Sequence, residues 1–264
     1  MAGEGPKTLL DFMAPELPEP PARSMGLREP REPRCEPKAG ERLLLLGYSE
    51  APRLEAWRDG GVELLIYCDR ERDAVRARKK GFRAVLAQTE NLEDRERFDA
   101  VVQEDLSYRI HDPKRALTRM VRALRPGGRL RIELPTEGHR TLSGRLLEEA
   151  AAERTVDGAV ERIVYPEAET CRRIVRELPL EIRLCRILYR TRWIAVDTLD
   201  TWGWELLNSR ALLLDEAGRR ALHRRLVEKM RRRVTEEEAF LEEEVLLQID
   251  ARRDQDSSLL FSSM

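Results

Sequence analysis

In the stretch LLLLGYSEAP, residues 43–52, four leucines run into Gly47, and Asp69 follows that glycine by 22 residues. A continuous apolar run is the pattern of a strand buried on both faces, and a glycine at its end starts a tight turn toward a ligand. The next apolar run, VELLIYC, ends at Asp69. A carboxylate there offers two acceptor oxygens and no donor, so it can receive hydrogen bonds from a ligand. Asp69 also precedes a helical run, where Asp is a favoured N-cap, so both readings stay open. A dinucleotide fingerprint needs two further glycines after Gly47, and GYSEAP supplies neither. More polar groups follow later apolar runs: Gln88 and Thr89 in AQTENL, then Gln103, Glu104, Asp105, Tyr108 and His111.

These residues need a frame, and the alternation of patterns predicts one. Strands are expected at 43–46, 62–68, 82–86, 98–102 and 129–134, with helices at 51–59, 70–80 and 114–124 between them. Arg125-Pro126-Gly127-Gly128 stops the last of these helices. Tight alternation of this kind implies a parallel sheet covered by helices on both faces. Right-handed crossovers then set the loops after the first, second and fourth strands along one edge, where open α/β sheets bind ligands. Beyond 135 the pattern predicts helices at 137–154 and 168–178, a strand at 181–189, mostly helix over 197–233, and a last strand at 245–251.

Residues 41–253, and above all FDAVVQEDLSYRIHDPKRALTRMVRALRPGGRLRIELP at 98–135, resemble a class I S-adenosylmethionine-dependent methyltransferase. The resemblance implies a Rossmann-like α/β sheet of seven strands, mostly parallel with an antiparallel final strand, and a helical insertion at about 191–240. It implies that Asp69 accepts hydrogen bonds from both ribose hydroxyls of S-adenosyl-L-methionine. Gln88 aligns with an acid that faces the adenine amino group, and Gly47, Tyr48, Ser49, Arg70, Thr89 and Gln103 complete the cofactor wall. Tyr108, His111, His139 and Trp193 fall where the family builds its substrate pocket, and His111 stands where it often carries a base. His111 with Asp112 equally reads as the start of the next helix. The first loop departs from the family pattern: Leu45 replaces an acid, Ser49 the second glycine and Ala51 the third. Leu45 cannot help to hold the cofactor's amino group.

Net charge is −1, so no global pull toward nucleic acid or a membrane arises. Cys35, Cys68, Cys171 and Cys185 show no CxxC spacing, and with three scattered histidines no metal cluster is expected. Free thiols and the lack of a long apolar run predict a cytoplasmic protein. Residues 1–40 hold eight of the fourteen prolines and read as a disordered tail; 254–264 reads as a flexible end. Within the tail, KTLLDFM at 7–13 resembles peptides that dock on a sliding clamp, with Leu9, Phe12 and Met13 as an apolar triad. The basic run RRALHRRLVEKMRRR and the acidic run EEEAFLEEE are expected to pair at i,i+4 on a solvated helix, which makes nucleic-acid contact the less favoured use. A non-catalytic binding protein is the alternative to an enzyme.

Overall fold

The computed structural model describes residues 36–48, 52–103, 109–153, 160, 163–210 and 214–255. Ser49, Tyr108, the 7–13 triad and residues 256–264 lie outside the described residues. Seven strands form one sheet: β1 (Arg42–Leu46), β2 (Glu63–Cys68), β3 (Arg83–Leu86), β4 (Phe98–Gln103), β5 (Leu124–Pro135), β6 (Leu180–Ala195) and β7 (Ala239–Arg253). Their order is β3-β2-β1-β4-β5-β7-β6. β1 to β5 pair in parallel, and β7 runs antiparallel to both β5 and β6. This is the expected mixed sheet, with the order reversing between β1 and β4.

The continuous apolar run of β1 serves two cores at once. Leu44 and Leu46 pack with α3 (Pro113–Ala123) and α5 (Ala168–Glu177). Leu43 and Leu45 pack on the opposite face with α1 (Pro52–Asp59) and α2 (Glu71–Lys79). Helix α3 starts sharply because Asp112 accepts a hydrogen bond from the Arg115 N–H at 2.9 Å and Pro113 needs no partner for its nitrogen. It buries Ala116, Leu117, Met120 and Val121 at helical spacing. At the following turn, Gly128 has no room for a side chain, since a Cβ would sit 2.8 Å from the Arg125 carbonyl.

The second half departs from expectation in two respects. β6 and β7 continue past Pro135, the last residue of β5, and pair from Tyr189↔Val245 to Ala195↔Ala239 as a two-stranded ribbon. The helical part of the insertion is therefore shorter than 191–240. It comprises α6 (Leu199–Arg210) and α7 (Glu216–Arg231). Together with α4 (Thr141–Ala152), these helices clasp Ile194 and Phe240 of the ribbon in a third core. The acidic run is not a solvated helix. It enters β7, and its alternate residues Glu242 and Glu244 are buried while Glu243 is exposed. The basic run does lie on α7. There Arg220 pairs with Glu216 at 3.0 Å, and Lys229 reaches across to Glu153 of the α4 end at 2.7 Å.

Candidate functional site

The C-terminal ends of β1, β2 and β4 come side by side because Leu46 is in register with both Tyr67 and Gln103. Gly47 leaves β1 with φ +83°, a backbone region that side-chain-bearing residues enter at a cost, and donates its N–H to the Tyr67 carbonyl at 2.8 Å. Gln103 is fully buried, and neither its amide nitrogen nor its amide oxygen has a hydrogen-bond partner. An orphaned buried amide is uncommon and calls for an explanation. Leu45 sits in the apolar core, with no polar group to offer this edge.

Asp69 lies at the end of β2, as expected, but it does not cap the next helix. Arg70 holds the N-cap position of α2 without a side-chain cap bond. The Arg70 guanidinium instead pairs with Asp73 at 2.8 Å and approaches Asp69 at 3.7 Å. Asp69 Oδ2 accepts a hydrogen bond from the Arg109 backbone N–H at 3.2 Å. Tyr48 is buried, its ring 6.1 Å from that of Phe82. After β3, Gln88 is exposed and Thr89 fully buried at the start of a 3-10 turn, Thr89–Asn91. The acid with a visible task there is Glu90, which sequence reasoning passed over. Its Oε1 accepts from the N–H groups of His111 at 2.6 Å and Asp112 at 3.0 Å. The imidazole of His111 is exposed, and Asp112, not His111, caps α3. The one available signal for Glu90 was an acid two residues after Gln88, in a loop expected to carry one.

His139 follows the end of β5, beside the β6–β7 ribbon. Trp193 lies on the ribbon, in register with Leu241. His139 is buried, with Tyr165 edge-on at 5.1 Å. Burial, then the neighbouring Arg140, push its pKa down to about 3. Its ring nitrogens complete no hydrogen bond of ordinary geometry, although the Val245 carbonyl slightly favours its proton. Around it stands an ionic cluster of the ribbon and α4. Glu244 is paired with Arg140 at 3.1 Å, with Arg190, and with Arg192 at 3.7 Å. The Arg140 and Arg192 guanidiniums lie over the Trp202 ring at 4.6 and 4.5 Å. The Trp202 indole N–H donates to Ser143 Oγ at 3.3 Å, and Ser143 donates its hydroxyl and its N–H to Glu242. Burial raises the Glu242 carboxyl to about 7 against those hydrogen bonds. Burial also works to raise Glu244, but Arg140 and Arg190 outweigh it and hold that carboxyl below its usual range. None of these acids was expected from the sequence as a buried group.

Two shallow clefts open at the opposite end of the strands. The larger, about 490 Å³, is lined by Arg42, Glu63, Arg83, Arg97 and Phe98 among others, and neither cleft touches a residue expected at the site. Among the described residues no group of three His, Cys, Asp or Glu side chains could hold a metal ion, and no helix is long and apolar enough to cross a membrane.

Residues 47–132 match the family model described as a methyltransferase domain. Among curated proteins none matches the chain in sequence. Solved structures do. Mycolic acid cyclopropane synthase complexed with SAH and CTAB superposes with a TM-score of 0.50 at 14% identity, over 82% of this chain and 79% of that one. A Haemonchus contortus phosphoethanolamine N-methyltransferase, in complex with phosphomonomethylethanolamine and S-adenosylhomocysteine, gives 0.49 at 16% identity over 84% and 50%. The YcgJ protein of Bacillus subtilis gives 0.49 at 11% identity over 82% and 93%. At such identities the first of these likenesses shows the fold alone.

Proposed function

We propose, from the match of residues 47–132 to the methyltransferase-domain model, that this chain binds S-adenosyl-L-methionine where the strand order reverses and methylates a small-molecule or protein acceptor. The observation that carries this reading is the meeting of three groups on one sheet edge: the Gly47 turn, the Asp69 carboxylate and the unpartnered Gln103 amide. The residues present fit such a cofactor. The Asp69 carboxylate offers two acceptor oxygens and no donor, which suits a pair of ribose hydroxyls. Gln103 offers a donor and an acceptor to an amino-acid moiety, and Gly47 lets backbone approach closely. When bound, the cofactor supplies an activated methyl group, and the transfer is an in-line displacement. The chain's own residues contribute position and exclusion of water. His111, exposed beside this edge, is the candidate base for an acceptor that starts protonated. His139 is no such base: with a pKa of about 3 it is neutral and enclosed. A cytoplasmic setting, where the cofactor is made and used, accords with this reading.

Calorimetric titration of the full chain with S-adenosylmethionine and S-adenosylhomocysteine tests it. Micromolar binding is expected, about −8 kcal/mol. Asp69→Ala should weaken it by roughly 1–3 kcal/mol, because a buried sugar loses a charge-assisted acceptor. No heat at millimolar ligand would remove the enzyme reading. It would leave the second one, a methyltransferase-like binding protein, which is favoured by Leu45 standing where an acid is needed. For that reading the contact would be KTLLDFM on a sliding clamp. A synthetic 1–20 peptide that binds no better than its Leu9→Ala/Phe12→Ala control would eliminate the docking.

A further inference from the structure

The segment 109–112 is tied to the sheet edge by its backbone, and both ties are acidic side chains. Arg109 gives its N–H to Asp69 at 3.2 Å, across 40 residues of sequence. His111 and Asp112 give theirs to Glu90 at 2.6 and 3.0 Å, across 21 and 22 residues. A connecting segment ordinarily satisfies its N–H groups with water, local turns or the next helix. Here two carboxylates at the ends of successive strand loops do so. The ties differ in strength. Glu90 is nearly buried and holds two N–H groups on one oxygen, one of them at a short charge-assisted distance. Asp69 Oδ2 accepts the Arg109 N–H at the longer distance of 3.2 Å, so this tie is the weaker one.

Among the described residues, no protein group fills part of the hydrogen-bonding capacity on the same edge. Glu90 Oε2 and both amide atoms of Gln103 are buried without a partner. Gln103 stands in register with Leu46, immediately before the Gly47 turn. Buried polar atoms left unpaired beside a glycine turn point to a ligand with donors and acceptors of its own. A ribose diol presents O–H donors, and Asp69 can receive them only where it does not already receive the Arg109 N–H.

We propose that segment 109–112 is a built-in competitor for an adenosine-bearing ligand: Arg109 holds Asp69 until ligand hydroxyls displace it, while Glu90 keeps residues 111–112 in place as the hinge. This rests on the functional reading above and adds a regulatory step to it. Binding and release of Arg109 become one event. The apparent affinity is therefore reduced by the fraction of molecules in which the tie is made.

The test compares Arg109→Pro with Arg109→Ala in the full chain, titrated with S-adenosylhomocysteine. Proline has no N–H to give Asp69, whereas alanine keeps it. The proline variant should bind roughly tenfold more tightly than the alanine variant, the order expected for a hydrogen bond to a charged group. The alanine variant should bind as the unaltered chain does. Equal affinities of the two variants, or weaker binding by the proline variant alone, would overturn the inference while leaving cofactor binding intact. No binding by any of the three at millimolar ligand would remove both readings. Because proline can disturb folding, amide hydrogen exchange of the unaltered chain gives an independent decision. The Arg109 amide should exchange faster when S-adenosylhomocysteine is added, with the His111 and Asp112 amides unchanged. An Arg109 amide that is unprotected at the outset, or that slows with ligand, would overturn the proposal.

Discussion

The two ends of the sheet solve burial by opposite means. At the β1–β2–β4 end, every side chain from Leu43 to Leu46 is buried and apolar, and the polar groups sit at or just past the strand ends. On the β6–β7 ribbon, Glu242 and Glu244 are buried within the strand itself and are kept there by Ser143 and three arginines. Apolar burial is non-directional and is lost in proportion to the area removed. A buried ionic cluster depends on every member, and removing one leaves the others charged and unpaired. The ribbon should therefore be the more brittle region, and the more sensitive to pH.

The largest expected effect follows directly. Glu244→Ala leaves Arg140, Arg190 and Arg192 around an empty place and should cost ~3–5 kcal/mol in denaturant unfolding. A cost below about 1 kcal/mol would mean that the cluster is merely surface-like and that the contrast between the two ends is unreal.

Next comes the pH dependence. Glu242 is raised in the fold from 4.5 to about 7, so between those values the folded chain keeps a proton that the unfolded chain has lost. Its contribution is complete below pH 4.5 and is lost as pH rises through 7. His139 is lowered from 6.5 to about 3, so its contribution is complete above pH 6.5 and is lost as pH falls toward 3. Over the shared window from 4.5 to 6.5 the two slopes oppose and nearly cancel. Glu242→Gln should unmask the histidine. Stability of that variant should rise with pH by about 1.4 kcal/mol per unit in the shared window. Above about pH 8 it should exceed the unaltered chain by about 3 kcal/mol, 2.5 units at that rate. Chemical denaturation at a series of pH values measures both, and an unchanged profile would show that Glu242 is not the titrating group.

Two smaller effects probe the other end. Gly47→Ala should cost about 1–2 kcal/mol, because a Cβ is strained at φ +83° whatever the surrounding space. Asp112→Ala should cost about 1 kcal/mol by removing the α3 cap. Thermal melts resolve the ranking, and a cap effect larger than that of Glu244→Ala would reverse the comparison.

Patterning made the first end legible. A run such as LLLL or VELLIYC admits few structures, since only a strand between two helical layers buries it on both sides. The alternation of these runs with amphipathic stretches such as Ala116–Val121 fixed the parallel order and placed Gly47, Asp69 and Gln103 on one edge. The acidic run 236–244 was illegible for the opposite reason. Charge density in a sequence suggests a solvated helix, and a period of two among glutamates becomes meaningful only when the facing strand brings Arg190 and Arg192 opposite Glu244 and Glu242. The same holds for Glu90. Its residue type was visible, but its partners are backbone N–H groups 21 and 22 residues away, and backbone carries no signature of where it will arrive. The sequence by itself thus determined the parallel strands, their cores and which strand ends share an edge, because apolar burial depends on local pattern. Only the tertiary structure decided which carboxylates stand at the proposed ligand edge, which hold the chain's own backbone, and which are sealed among arginines, because hydrogen bonds and ion pairs depend on distances between segments that no local pattern contains.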